Sequence, residues 1–142
     1  VVGRVALIQS VGSLELLDEI EKVAAAREIV QDILLEVNIG REEAKSGFAP
    51  EDLFAAAQAV PTRSHVRLRG IMTIPPADAS REENLRYFQE VRALYVDING
   101  KLFNNELEYL SMGMSGDYED AIRCGATMVR VGSAIFGARH YQ

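Results

Sequence analysis

Short apolar runs alternate with amphipathic stretches along this 142-residue chain, and that rhythm limits its possible folds more than any other feature. Residues 4–9 read as a strand. Residues 13–27 read as a helix, with Ser13 as N-cap and Leu14, Leu17, Ile20 and Ala24 at helical spacing. Residues 32–39 are almost continuously apolar and rich in branched side chains, as a parallel strand buried on both faces requires. A helix over 50–59 is predicted, with Pro50 in its tolerated first turn, followed by a strand over 66–73 that Pro75 and Pro76 end.

The second half repeats the pattern. Ser80 followed by Glu83 is a capping-box signature, and it opens a long helix predicted to reach residue 103. Residues 107–111 read as a short strand, 117–124 as a helix stopped by Gly125, and 127–131 as a last strand with a short helix opening at Ser133. Strands alternating with helices imply βαβ units and a parallel sheet. Five such units fit an open doubly wound sheet or part of a (β/α)8 barrel, and periodicity does not choose. The first strand is not followed by Gly-x-Gly-x-x-Gly, which weakens the dinucleotide-binding version.

Composition narrows the function classes. The net charge of −6 and pI near 5.0 argue against a general nucleic-acid binder. The single cysteine, Cys124, allows no internal disulfide, and there is no Cys/His cluster of metal-ligand type. No apolar run approaches the roughly 20 residues of a membrane-spanning helix. A cytoplasmic protein with no membrane association is expected.

The last two strand-to-helix junctions carry the sharpest chemical signal. One is Ser111-Met112-Gly113-Met114-Ser115-Gly116-Asp117; the other is Arg130-Val131-Gly132-Ser133. Both place small residues where backbone N–H groups stand free at a helix start, a favourable position for an anion. Gly116 and Gly132 have no side chain to block close approach, and Ser115 and Ser133 each add a hydroxyl. The same residues also suit ordinary N-caps and turns. Arg130 lies in an apolar strand, where its cation is costly to bury alone. It either reaches solvent or a carboxylate, or it faces a ligand at the C-terminal mouth of a barrel. Asn38 and Met72 fall near the ends of their strands, at the same mouth; a strand-end cap and a core methionine are the ordinary alternatives. Lys45 reads as a solvated loop lysine, and His65 and His140 carry no assigned chemistry.

Taken together, Leu35-Glu36-Val37-Asn38-Ile39, Lys45-Ser46-Gly47-Phe48, Arg69-Gly70-Ile71-Met72-Thr73-Ile74-Pro75, the 110–117 stretch and the 128–139 stretch resemble the pyridoxal phosphate homeostasis family, across nearly the whole chain. The resemblance implies a barrel like the N-terminal domain of alanine racemase, fold type III among pyridoxal phosphate proteins, of which this chain is expected to supply about the last five βα units. It implies pyridoxal 5'-phosphate as cofactor. Ser115, Gly132 and Ser133 would hold its phosphate, with Gly116 a further cofactor-binding residue, Arg130 would face the pyridine nitrogen, and Asn38 and Met72 would line the ring. It implies a vitamin B6 carrier or regulator, with pyridoxal-phosphate-dependent apoenzymes as partners, in preference to a racemase-like enzyme. The family's cofactor-bearing lysine lies on an early strand that is expected upstream of residue 1; Lys22, Lys45 and Lys101 do not match it. A barrel of five units would leave an open sheet edge through which chains could associate.

Overall fold

The computed structural model describes residues 2–43 and 45–130. Five strands alternate with four helices: β1 (Leu7–Val11), α1 (Leu14–Ala26), β2 (Gln31–Val37), α2 (Leu53–Ala59), β3 (Val66–Thr73), α3 (Arg81–Leu102), β4 (Tyr109–Met114), α4 (Tyr118–Arg123) and β5 (Met128–Arg130). The strands form one sheet in the order β1-β2-β3-β4-β5, and every neighbouring pair is parallel. Sequential order with no reversal is the arrangement of a barrel wall, whereas a doubly wound sheet has a switch point in its strand order. The structure therefore resolves the choice that periodicity left open in favour of a partial (β/α)8 barrel.

The helix starts follow from local chemistry. Ser13 Oγ accepts the Leu16 N–H at 3.1 Å, and α1 begins there. At α3, Ser80 Oγ accepts the Glu83 N–H at 3.1 Å while the Ser80 N–H donates to Glu83 Oε1 at 2.8 Å, completing the predicted capping box. Such a cap contributes about 1 kcal/mol. Gly125 stops α4 with a φ of +102°, a conformation that few other residues adopt. The helix predicted over 50–59 starts as a single 3-10 turn, Pro50–Asp52, before α2 proper.

Strand boundaries move by a few residues. The first strand starts later than the apolar run, because the Val5 carbonyl is occupied by Gln31 Nε2 and the chain turns before Leu7. The fourth runs on to Met114, where Gly113 at φ +102° lets the chain continue through an irregular step in the β4–β5 register. The helix predicted at Ser133 and the end of the last strand at Val131 lie outside the described residues.

The sheet has two faces with different occupants. Ile33, Leu35, Val37, Leu68, Ile71, Leu110 and Met112 join one continuous apolar core with Leu17, Ile20, Leu53, Phe88, Val91 and Ile98 from the helices. Residues alternate across a strand, so Leu34, Glu36, Met72 and Ser111 point to the opposite, concave face. These four are buried yet stand outside that core cluster. Near the strand starts, Asp32 takes Arg67 Nε at 2.8 Å and Arg69 Nη1 at 2.7 Å, and Arg69 also pairs with Glu108 and stacks over the Tyr109 ring. The concave face is thus charged and neutralised near the strand starts, and polar near the strand ends.

Candidate functional site: the C-terminal mouth of the sheet

Register brings Glu36, Met72, Ser111 and Met128 into one row across β2, β3, β4 and β5. Above this row a polar network spans the concave face. Arg130 Nη1 donates to Ser111 Oγ at 2.5 Å, and its Nη2 donates to the Thr73 carbonyl at 2.9 Å. Ser111 Oγ in turn donates to Gln9 Oε1 at 2.9 Å, joining β4 to β1 across three strand intervals. Arg130 is therefore held by hydrogen-bond acceptors on the concave side, the placement its position in an apolar strand requires. Thr73 is itself fixed, since its Oγ1 donates to the Val37 carbonyl at 2.9 Å.

The turn after β4 forms the second part of the mouth. Asp117 clasps it: Oδ1 accepts the Met114 N–H at 2.7 Å, and Oδ2 accepts Asn84 Nδ2 from α3 at 2.6 Å. A second link lies one helical turn along, where Arg81 reaches Asp120 with Nε at 2.9 Å. The Arg81 hydrogen bond holds the Asp120 carboxyl below the ordinary carboxylate range. Within this clasp, the Ser115 and Gly116 N–H groups have no acceptor among the described residues, and a side chain at Gly116 would meet open space. They border a cleft of about 770 Å³, also lined by Lys45, Pro75, Pro76, Arg81, Asn84, Tyr118 and Arg123.

The loop after β2 closes the mouth on the β1 side. It folds back for one rung, with the Phe48 N–H donating to the Glu36 carbonyl and the Asn38 N–H to the Phe48 carbonyl, both at 2.8 Å. The Asn38 side chain caps the following turn: Oδ1 accepts the Glu42 N–H at 3.2 Å and Nδ2 donates to the Glu42 carbonyl at 2.7 Å. Ser46 Oγ donates to Glu36 Oε1 at 3.2 Å. Gly12, after β1, lies so close that a Cβ there would stand 2.7 Å from the Gly47 nitrogen.

Of the residues singled out from sequence, Arg130, Met72, Ser115 and Gly116 lie on the concave face or its rim. Asn38 lies at the strand end with its amide engaged locally, and Gly132 and Ser133 lie outside the described residues. Gln9, Thr73 and Ser111 were given no role from sequence, because a polar residue in a strand shows its partners only once the strands are assembled; Arg130, on the strand next to Ser111, was the available clue. Lys45 is exposed at the cleft rim. His65 stands at the opposite end of β3, with its N–H and Nδ1 each 2.7 Å from Glu21. Among the described residues no group of three His, Cys, Asp or Glu could hold a metal ion, and no helix is long and apolar enough to cross a membrane.

A parallel sheet in sequential order, with a polar mouth at the strand ends, defines a (β/α) barrel wall with a ligand mouth. The family described as alanine racemase, N-terminal domain, matches residues 2–140, and the chain belongs to it. A pyridoxal phosphate homeostasis protein from Aquifex aeolicus is 44% identical over 139 residues, covering 98% of this chain and 60% of the relative. One from Haemophilus influenzae is 35% identical over 94% of this chain and 56% of its own length. The chain thus spans somewhat more than half of these relatives. Among solved structures, an unknown protein from Bifidobacterium adolescentis shares 40% identity at a TM-score of 0.87, over 93% of this chain and 53% of that one. PipY from Synechococcus elongatus with pyridoxal phosphate bound shares 29% identity at a TM-score of 0.82, over 96% and 63% respectively.

Proposed function

We propose that this chain contributes the phosphate-binding and ring-nitrogen side of a pyridoxal 5'-phosphate site, and that its role is to hold the cofactor in vitamin B6 homeostasis. The observation that carries the reading is the pairing of two features along β4: the Ser115 and Gly116 N–H groups just past its end, which have no acceptor among the described residues, and Ser111, four residues before Ser115, holding Arg130. The residues present suit the group. The N–H pair and the Ser115 hydroxyl suit a phosphate. The Arg130 guanidinium can only donate hydrogen bonds, so it suits an unprotonated ring nitrogen. Met72, 4% exposed in the row beneath, offers an apolar surface to the ring. Gly132 and Ser133 belong to the same reading as further phosphate contacts.

When bound, pyridoxal phosphate supplies an electron sink, and a cation at its ring nitrogen weakens that property. Arg130 thus favours holding the cofactor over using it, which supports a carrier or regulator, as do the names of the curated relatives. A racemase-like enzyme is the second reading. Tyr118, at the cleft rim, is the described tyrosine nearest such a role. Delivery of the cofactor to apoenzymes and a cytoplasmic location belong to the carrier reading.

Titration of the chain with pyridoxal phosphate, followed by absorbance and repeated with inorganic phosphate and sugar phosphates as competitors, tests the site. Preferential saturable binding of pyridoxal phosphate is expected; equal binding of all three contradicts the assignment. Incubation with L-alanine and chiral analysis of the product separates the two roles: sustained turnover would favour the racemase.

A further inference from the structure

Hydrogen-bond polarity across the concave face is forced in one direction. Arginine has donors only, so Ser111 Oγ must accept from Arg130 Nη1. The single hydroxyl proton of Ser111 is then available to Gln9, and it can be received only by the amide oxygen, Oε1, at 2.9 Å. Ser111 is fully buried, so this proton has no solvent alternative. The Gln9 amide is thereby oriented with its oxygen toward Ser111 and its two N–H donors turned away from it.

We propose that Gln9 and Ser111 are positioning residues that set the direction of the Arg130 guanidinium, so that the β1 strand controls the ligand-facing cation on β5. Gln9 and Ser111 are 102 residues apart in sequence, and the chain of bonds Gln9–Ser111–Arg130–Thr73 links β1, β4, β5 and β3. The Thr73 carbonyl fixes Nη2 and Ser111 fixes Nη1, which together define the plane of a planar fork. Loss of the Gln9 acceptor removes the partner that holds the Ser111 hydroxyl proton away from Arg130. The hydroxyl must then rotate away, and the guanidinium loses its fixed plane.

Only the cofactor readout of the following test rests on the pyridoxal phosphate reading; the other readout uses the ligand-free chain. Side-chain NMR of Arg130 reports its proton exchange in wild type, Gln9→Leu, Gln9→Glu and Ser111→Ala. Gln9→Glu keeps an acceptor of the same length, so Arg130 exchange stays slow. Gln9→Leu and Ser111→Ala are expected to speed it by about tenfold, the effect of losing one buried hydrogen bond to a charged group. The absorption maximum of bound pyridoxal phosphate shifts in the same two variants and returns toward wild type in Gln9→Glu. If Ser111→Ala does not fold, the Leu and Glu variants at position 9 carry the comparison alone. Indistinguishable Arg130 exchange in Gln9→Leu, Gln9→Glu and wild type overturns the relay. Absence of pyridoxal phosphate binding in wild type, with the exchange pattern as expected, overturns the cofactor reading and leaves the relay standing.

Discussion

Arg130 Nη1 lies 2.5 Å from Ser111 Oγ, and this contact ties the last described strand to the strand that also bears the Ser115–Gly116 turn. A cation and the Ser115 and Gly116 N–H groups, which have no acceptor among the described residues, are thus carried on one pair of neighbouring strands. Removal of the cation by Arg130→Ala is expected to weaken pyridoxal phosphate binding by about tenfold or more, as loss of a charge-assisted hydrogen bond does. Circular dichroism should show the fold retained, because Arg130 stands outside the helix-side core. Unchanged affinity and absorbance would remove Arg130 from the site.

Asp117 shapes the turn without offering a donor to a ligand. Replacement by Ala frees the Met114 N–H and the Asn84 amide together. Amide exchange at Met114 should accelerate, and affinity for pyridoxal phosphate should fall by several-fold. Exchange as slow as in wild type would show that the turn is held by other contacts.

Gly70 faces the Tyr109 backbone across the β3–β4 ladder, and a Cβ at position 70 would overlap the Tyr109 carbonyl. Gly70→Ala must therefore push β3 and β4 apart. A destabilisation of about 2 kcal/mol or more is expected, read from the denaturant midpoint. A wild-type midpoint would mean that the strands can separate there at little cost.

Acid stability should depend on Asp32. Burial by itself would raise its carboxyl, but the hydrogen bonds and charges of Arg67 and Arg69 together outweigh this and hold it below the ordinary range. A lowered folded value means that this stabilisation is fully present above about pH 4, the unfolded value, and is lost as pH falls through the folded one. Asp32→Asn should be less stable than wild type at pH 7 and lose less stability between about pH 5 and pH 2. Parallel pH profiles for the two proteins would contradict this.

Much of the fold is legible in the sequence, because its determinants are local: the Ser80–Glu83 box, the branched run at β2 and the Gly125 stop each act within a few residues. The sequential order of the strands is legible only through family resemblance, since strand neighbours are set by long-range pairing that periodicity does not encode. The site divides in the same way. Arg130, Ser115 and Gly116 announce themselves by a misplaced charge and a small-residue turn. Gln9, Thr73 and Ser111 matter through the β4–β1 and β5–β3 approaches, which exist only once the sheet curves. Asn38 shows both its aspects, a strand-end position at the mouth and an amide spent on the Glu42 backbone.

In the proposed site, pyridoxal phosphate lies on the concave face at the strand ends, between the Ser115–Gly116 turn and Arg130. The most direct test is an NMR titration of the labelled chain with pyridoxal phosphate, read residue by residue. Saturable shifts are expected in the Ser115 and Gly116 amides, the Met72 methyl and the Arg130 side chain. Saturable shifts confined to another surface, such as the groove formed by Pro61, Arg67 and Phe103 at the opposite end of the strands, would contradict it, as would no saturable shift at all.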